Sequence, residues 1–316
     1  MTDRPPPHPH PPLLVVVGPT AVGKSDTALL LAEALGGEII SADSRQFYRG
    51  MDIGTAKPIS EEQARVPHHM LDICDPDETL TLAEFQSRCY SLMAEITARG
   101  RLPLLVGGTG LYVRAVVEGY GIPRVAPDEA LRATLFEVAE REGERVLHER
   151  LAEVDPESAQ RIDPRNVRRV VRALEVHAKS GTPISELQRK RPPPYRVLTI
   201  GLTRPREALY QRIDERIERM LAGGLVDETR SLLDAGIPAD SEAMSALGYR
   251  ESVAFLRGEI EDEAALAQAI GQSTRRLVRA QANWFRAGDP RIRWFDLSTT
   301  RPAMVLTFVA AWLAGK

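Results

Sequence analysis

Lysine is scarce in this chain: of 41 basic residues only Lys24, Lys57, Lys179, Lys190 and Lys316 are lysines. Arginine carries the rest of the positive charge, and its planar fork is the group suited to bidentate phosphate contacts. Against 44 acidic residues the formal net charge is −3, which excludes a uniformly basic nucleic-acid coat and makes local clusters more informative than the total. Cysteine is nearly absent. Cys74 and Cys89 have neither metal-ligand spacing nor the density of a disulfide scaffold, and they read as ordinary thiols in a reducing compartment. No apolar run is long enough to span a bilayer, since the C-terminal segment from Met304 to Gly315 is too short. The N-terminal MTDRPPPHPHPP lacks the apolar centre of a signal peptide. Its prolines predict an extended, disordered tail over residues 1–12, with histidines that belong to the tail composition and not to a metal site. A cytoplasmic protein is expected. Its 316 residues, 43% of them hydrophobic, allow one large domain with an insertion or two domains.

The rest of the chain is organised around LLVVVGPTAVGKSDTALLLAEALGG, from Leu13 to Gly37. An apolar run with three consecutive valines predicts a buried strand, Gly18–Ser25 spells G-x-x-x-x-G-K-S, and Asp26–Leu35 continues as a helix stopped by Gly36-Gly37. A phosphate-binding loop needs these residue types. Glycines let backbone N–H groups close around phosphate oxygens, the helix N-terminus contributes its positive dipole end, Lys24 reaches the terminal phosphates, and Ser25 is placed to ligate Mg²⁺.

A second buried strand over Glu38–Ala42 delivers Asp43-Ser44-Arg45-Gln46 to the same end of the sheet, where ligands bind in open parallel sheets. A short strand is expected from His68 to Ile73. Thr81 and Glu84 form a capping box that opens a helix running to about Arg99. Leu104–Val106 reads as another strand, and Gly107-Gly108-Thr109-Gly110 follows it, glycines that permit close backbone approach to a ligand. Alternating strands and helices predict a parallel α/β fold. Between Gly121 and Pro194 no strand is evident, and two or three charged helices suggest an insertion. One of them, Pro164–Ser180, places Val167, Val170, Val171, Leu174 and Ala178 on one face and Arg165, Arg168, Arg169 and Arg172 on another. Those arginines suit a polyanion and equally suit a solvated face. The core resumes with a strand at Val197–Thr203 and a helix from Pro205 to Ala222 carrying Arg212 and Arg216. An arginine-rich helix is predicted over Ser273–Arg286, with Trp284 and Phe285 packed in the core, then a strand at Ile292–Leu297 and a C-terminal helix.

The blocks GPTAVGKS, SADSRQFYRGMDIGTAKP, PHHMLDI, GGTGLY, NVRRVVRALEV, ALGYRE and RRLVRAQANWFR occur in that order, and together they resemble the successive signatures of the tRNA dimethylallyltransferases from Leu13 to about Trp294. The resemblance implies a P-loop NTPase-like core over residues 13–120 and 195–316, with a helical insertion over 121–194 that meets tRNA. It implies transfer of a dimethylallyl group from dimethylallyl diphosphate to N6 of adenosine at tRNA position 37, with release of pyrophosphate and with Mg²⁺ as cofactor. The diphosphate would lie on Gly18, Pro19, Thr20, Ala21, Val22, Gly23, Lys24 and Ser25. Asp43 would be the general base, Thr109 would stand near the reacting centre, and Arg216, with Arg212 as a less favoured neighbour, would neutralise the diphosphate. For Arg216 a surface ion pair with Asp214, Glu215 or Glu218 is the competing expectation. Contacts to the tRNA anticodon stem-loop are implied at Asp43, Ser44, Arg45, Gln46 and Thr109, at Arg132, at Arg168, Arg169, Val170, Val171 and Arg172, and at Ser245, Ala246, Leu247, Gly248, Tyr249 and Arg250. A monomer without membrane contact is expected.

The sequence departs from the commoner family pattern at Ser25, at Phe47 and in Met244-Ser245-Ala246-Leu247. A relative acting on free AMP or ADP, a small-molecule kinase using ATP, and a non-catalytic RNA-binding module stay open at this point.

Overall fold

The structure is a computed structural model that describes residues 10–315. The tail expected over residues 1–12 lies outside the described residues as far as Pro9. Its last two residues belong to the fold: the Pro11 carbonyl accepts a hydrogen bond from the Arg196 N–H, and Pro12 opens the first strand.

In chain order the elements are β1 (Pro12–Val17), α1 (Lys24–Leu35), β2 (Gly37–Ser41), α2 (Ser60–Arg65), β3 (His68–His69), α3 (Leu82–Ala98), β4 (Leu102–Gly107) and α4 (Gly110–Val117). Five helices follow: α5 (Glu129–Glu142), α6 (Glu144–Val154), α7 (Pro156–Arg161), α8 (Val167–Ser180) and α9 (Ile184–Leu187). The chain then returns through β5 (Arg196–Thr203), α10 (Arg206–Ala222), α11 (Leu225–Asp234), α12 (Tyr249–Leu256), α13 (Glu263–Trp284), β6 (Ile292–Asp296) and α14 (Pro302–Leu313).

The described residues fall into two compact units, one up to Arg114 and from Pro194 onward, the other Ala115–Pro193. The first is an α/β unit of P-loop NTPase-like fold, with a six-stranded sheet in the order β3-β2-β4-β1-β5-β6 and every pair parallel. Leu13 to Val17 are fully buried in β1, the strand flanked by β4 and β5. Burying each such side chain stabilises by roughly 1.5–3 kcal/mol, so the strand that launches the phosphate loop is among the firmest in the molecule. Glu38 is a buried charge in β2, and it is satisfied by His69 and Arg99, each 2.7 Å away. Behind the turn that follows β2, Phe47 is buried against Phe85 and Tyr112, and the latter two rings meet edge-on with centroids 4.5 Å apart. Such a cluster fixes the direction of the loop that carries Asp43.

The strand expected from His68 to Ile73 stops after His69. Met70 and Asp72 take left-handed backbone angles, φ 63° and 52°, which no strand can contain. The Thr81–Glu84 capping box forms as expected. Helix α13 starts ten residues before the expected Ser273, because Asp262 caps it by accepting from the Ala265 N–H.

The second unit holds five helices where two or three were expected. Its core is made by Leu147, Leu151, Val170, Val171, Ala173, Val176 and Ile184. Helix α8 begins at Val167 and not at Pro164, since Asp163 accepts from the N–H groups of Arg165 and Asn166 and holds Pro164 in a preceding turn. Gly181 ends it at φ 66°. Ala178, placed on the apolar face by periodicity, is exposed.

Candidate active site

The loop leaving β1 turns into α1 at Gly23, whose φ of 109° only glycine adopts easily, and no side chain caps the first turn of the helix. The N–H groups at that end are thus available to an anion. Asp43, Ser44 and Arg45 follow β2, and Gly107–Gly110 follow β4, so three loops from adjacent strands converge at the carboxyl edge of the sheet. The convergence requires glycine. A Cβ on Gly107 would stand 2.3 Å from the Ala42 carbonyl oxygen, and one on Gly110 would collide with Trp284 at the same distance.

Two adjoining clefts share walls made by Lys24, Asp43 and Arg216. The first, of about 330 Å³, continues past Thr109 to apolar side chains that include Ile213, Ile217, Leu247, Leu277 and Trp284. The second, of about 210 Å³, is bordered by Ser25, Gln46, Arg212 and Arg219. One cleft is oily and the other polar and cationic, and the three charged groups stand where they meet.

Hydrogen bonds hold these groups in place. The Thr109 hydroxyl accepts from the Ser44 N–H at 3.3 Å, and Asp43 accepts from the Arg45 N–H at 3.0 Å. Arg45 reaches the Glu242 carbonyl and, at 3.2 Å, the Ser245 hydroxyl, which joins two segments expected to act together. Lys24 donates to the Pro19 carbonyl at 2.9 Å. Burial lowers the Lys24 ammonium to about 8, with Asp43 acting to raise it and Arg216 to lower it further. Burial also lowers the Arg216 guanidinium, while Asp43 favours its charged form. Arg216 donates to the Thr20 hydroxyl at 3.1 Å and Arg212 to the Ala21 carbonyl at 2.9 Å. The competing surface pairing with Asp214, Glu215 or Glu218 does not form among the described residues: the Arg216 guanidinium turns to Thr20 instead, and Asp214 is held by Arg275 at 2.6 Å.

Other expected site residues are placed differently. Tyr249 is fully buried, with its hydroxyl donating to Glu228 and accepting from the Gly54 N–H at 3.2 Å, so it faces no ligand. Gly248 is buried and Ala246 is 4% exposed, whereas Ser245 and Arg250 are exposed. Val170 and Val171 lie in the core of the helical unit. Arg132 and Arg172 converge on Glu175, a fully buried carboxylate, at 2.9 and 2.5 Å. Burial pushes Glu175 up, but Arg172, the Asp128 N–H and Arg132 outweigh it and leave the carboxyl below its ordinary range. Both arginines therefore serve the interior of their unit, and it is Arg168 and Arg169 that are exposed. Trp284, expected in the core, lines the apolar cleft.

Sequence reasoning missed Gln281. This buried amide accepts from the Thr20 N–H at 3.0 Å and donates to the Gly108 carbonyl at 3.1 Å, tying the phosphate loop to the glycine-threonine loop. It missed Arg204 also, which donates to the Val22 carbonyl at 3.0 Å. Glu228 accepts from the N–H groups of Asp52, Ile53 and Gly54 and anchors the loop that borders both clefts. The polar residues of the glycine-bearing 51–57 stretch gave no sign of this, because Glu228 lies on a distant helix. Both cysteines are buried free thiols, and burial raises Cys74 to about 11 and Cys89 higher still, so neither is reactive. Among the described residues no helix is long and apolar enough to cross a membrane.

Comparison with known proteins agrees with this geometry. The family described as IPP transferase matches residues 46–288, and the one described as Isopentenyl transferase matches residues 11–78. The chain is 51% identical over 287 residues to the tRNA dimethylallyltransferase of Thermomicrobium roseum, covering 91% of this chain and 87% of the relative. It is 54% identical over 289 residues to that of Symbiobacterium thermophilum, covering 91% and 90%. The crystal structure of the tRNA isopentenylpyrophosphate transferase of Bacillus halodurans superposes with a TM-score of 0.71 at 41% identity, covering 96% of each chain. A eukaryotic dimethylallyltransferase crystallised acting on tRNA superposes with a TM-score of 0.80 at 25% identity, covering 97% of this chain and 80% of that one. With a phosphate loop, an acidic turn and a glycine-threonine loop meeting at one edge of the sheet, and with relatives of this identity spanning nearly its whole length, the chain belongs to the tRNA dimethylallyltransferase family.

Proposed function

We propose that this protein transfers the dimethylallyl group of dimethylallyl diphosphate to N6 of the adenosine at tRNA position 37, just 3′ of the anticodon, and releases pyrophosphate. The observation that carries the reading is the meeting of a cationic cleft and an apolar cleft at Lys24, Asp43 and Arg216. A diphosphate suits the first and a branched five-carbon chain the second. The N6 lone pair attacks C1, the C1–O bond breaks with its electron pair leaving on pyrophosphate, and the N6 proton passes to the Asp43 carboxylate. The acceptor amine is conjugated with the purine ring and weakly nucleophilic, so a positioned base is useful. Lys24, Arg216 and the N–H groups at the start of α1 stabilise the charge that grows on the diphosphate. Thr109 uses one lone pair on the Ser44 N–H, which leaves its own proton to orient a diphosphate or acceptor atom.

Magnesium fits the residues present. No group of three His, Cys, Asp or Glu able to cage a metal exists among the described residues, and the exposed Ser25 hydroxyl borders the polar cleft. This is the donor set for an ion that keeps several waters and is held largely by substrate phosphates. Bound there by Ser25, it would neutralise charge on the leaving group.

For tRNA, the exposed Arg168, Arg169, Ser245 and Arg250, together with the half-buried Ser44, Arg45 and Gln46, are the proposed contacts. Their target base is one that must be splayed out of its loop to react. The reducing cytoplasm, where buried thiols persist, is the proposed compartment.

A three-way substrate comparison tests the reading. Labelled prenyl diphosphate is expected to label tRNA and not AMP or ADP, and γ-labelled ATP is expected to label nothing. Phosphoryl transfer, or prenylation of the free nucleotide alone, would overturn it.

A further inference from the structure

Three arginines from outside the phosphate loop each donate to one of three consecutive loop residues. Arg216 reaches the Thr20 hydroxyl at 3.1 Å, the Arg212 Nε–H the Ala21 carbonyl at 2.9 Å, and the Arg204 Nε–H the Val22 carbonyl at 3.0 Å. Of these three loop residues, Ala21 alone is strained. Its φ is 62°, a left-handed angle at which the Cβ of an L residue crowds its own backbone, and it is one of four such non-glycine residues among those described. A residue in this state persists only where the surroundings over-determine it.

We propose that Arg212 is a positioning residue that clamps Ala21 in its left-handed conformation and so preorganises the phosphate loop. The inference rests on the reading of that loop as a diphosphate site. Its physical basis is the planarity of the peptide bond. In a trans peptide the N–H points opposite to the C=O, so holding the Ala21 carbonyl toward Arg212 fixes the direction of the Val22 N–H, and Arg204 does the same for the Gly23 N–H through the Val22 carbonyl. Released from Arg212, alanine relaxes toward negative φ and the peptide rotates, which turns a loop donor away from its place. Glycine at the same position occupies either hand at little cost and has less need of the clamp.

A double-mutant cycle on pyrophosphate binding, measured by calorimetry on the full chain, tests this. Arg212→Met keeps the stem and removes the donor. With Ala21 present it is expected to weaken pyrophosphate about tenfold, or about 1.4 kcal/mol, and in the Ala21→Gly background no more than about twofold. Equal losses in both backgrounds would mean that Arg212 acts on the anion by its charge, and no loss in either would mean that the loop holds itself; each overturns the proposal. Should the Met variant fail to give a normal melting transition, Arg212→Gln, whose shorter stem also loses the contact, takes its place in the cycle with the same expectations. Failure of the unmutated protein to bind pyrophosphate would instead overturn the diphosphate reading.

Discussion

Replacing Asp43 by Asn keeps the size and the acceptor that holds the Arg45 N–H at 3.0 Å, but removes the ability to take a proton. It also removes a negative charge that favours the protonated forms of Lys24 and Arg216. The two consequences differ in size. With Lys24 lowered to about 8 by burial, roughly nine-tenths of it is charged at pH 7. Were the loss of Asp43 to lower it by a whole further unit, about half would still be charged, which costs about twofold. Loss of a general base costs roughly 10²- to 10⁴-fold. A single-turnover measurement with prebound tRNA and saturating dimethylallyl diphosphate is therefore expected to show a fall in the chemical step of at least about a hundredfold, with binding of both substrates retained. Repeating it at pH 6, where even a Lys24 lowered by that further unit would again be about nine-tenths charged, is expected to recover no more than about twofold. Recovery of most of the rate at pH 6, or on raising Mg²⁺, would refute the assignment of Asp43 as base and leave it as a charge partner of Lys24 or as a ligand to metal-bound water.

Pyrophosphate affinity is expected to fall as pH rises through about 8, where Lys24 loses its proton, and Lys24→Ala is expected to abolish that dependence while melting normally, as titration calorimetry across pH would show. Arg168 and Arg169 are exposed and carry no ion pair among the described residues, so reversing both to Glu is expected to weaken tRNA binding and reduce its salt slope by about 2, with affinity for the prenyl diphosphate unchanged in parallel filter-binding assays. Glu175→Ala would leave Arg132 and Arg172 facing a buried vacancy, at a cost of about 3 kcal/mol, read by denaturant unfolding. Because the folded Glu175 carboxyl lies below its ordinary 4.5, the stability that it contributes is fully present above that pH and is lost as the pH falls through the folded value.

The sheet, the phosphate loop and the Asp43 turn were legible because each rests on local pattern: a buried valine run, glycines at fixed spacing, a strand that ends in a charge. Lys24, Asp43 and Thr109 come together because parallel strands deliver their loops to one edge, a rule that needs no alignment. What failed depended on contacts distant in sequence or on backbone angles. The apolar letters of HMLDI suggested a strand, but hydropathy carries no trace of the left-handed Met70 and Asp72. The arginine face of α8 could not be divided by periodicity, since the division depends on Glu175 turning inward and drawing Arg172 and Arg132 with it. Tyr249 sits in a family signature and was read as a contact, whereas Glu228 and Gly54, far from it in sequence, make it an interior hydrogen-bonded residue. Gln281 bridges to Thr20 across 261 residues, and nothing around it in RRLVRAQANWFR marks one amide as the link between the loops that follow β1 and β4.

The most direct test is to incubate the protein with dimethylallyl diphosphate, Mg²⁺ and tRNA made without modifications, digest the RNA, and measure its nucleosides by mass. An adenosine heavier by one dimethylallyl group, mapped to position 37 and formed one-for-one with pyrophosphate, is the expected result. Unmodified adenosine at that position, with the protein folded and both substrates bound, would contradict it.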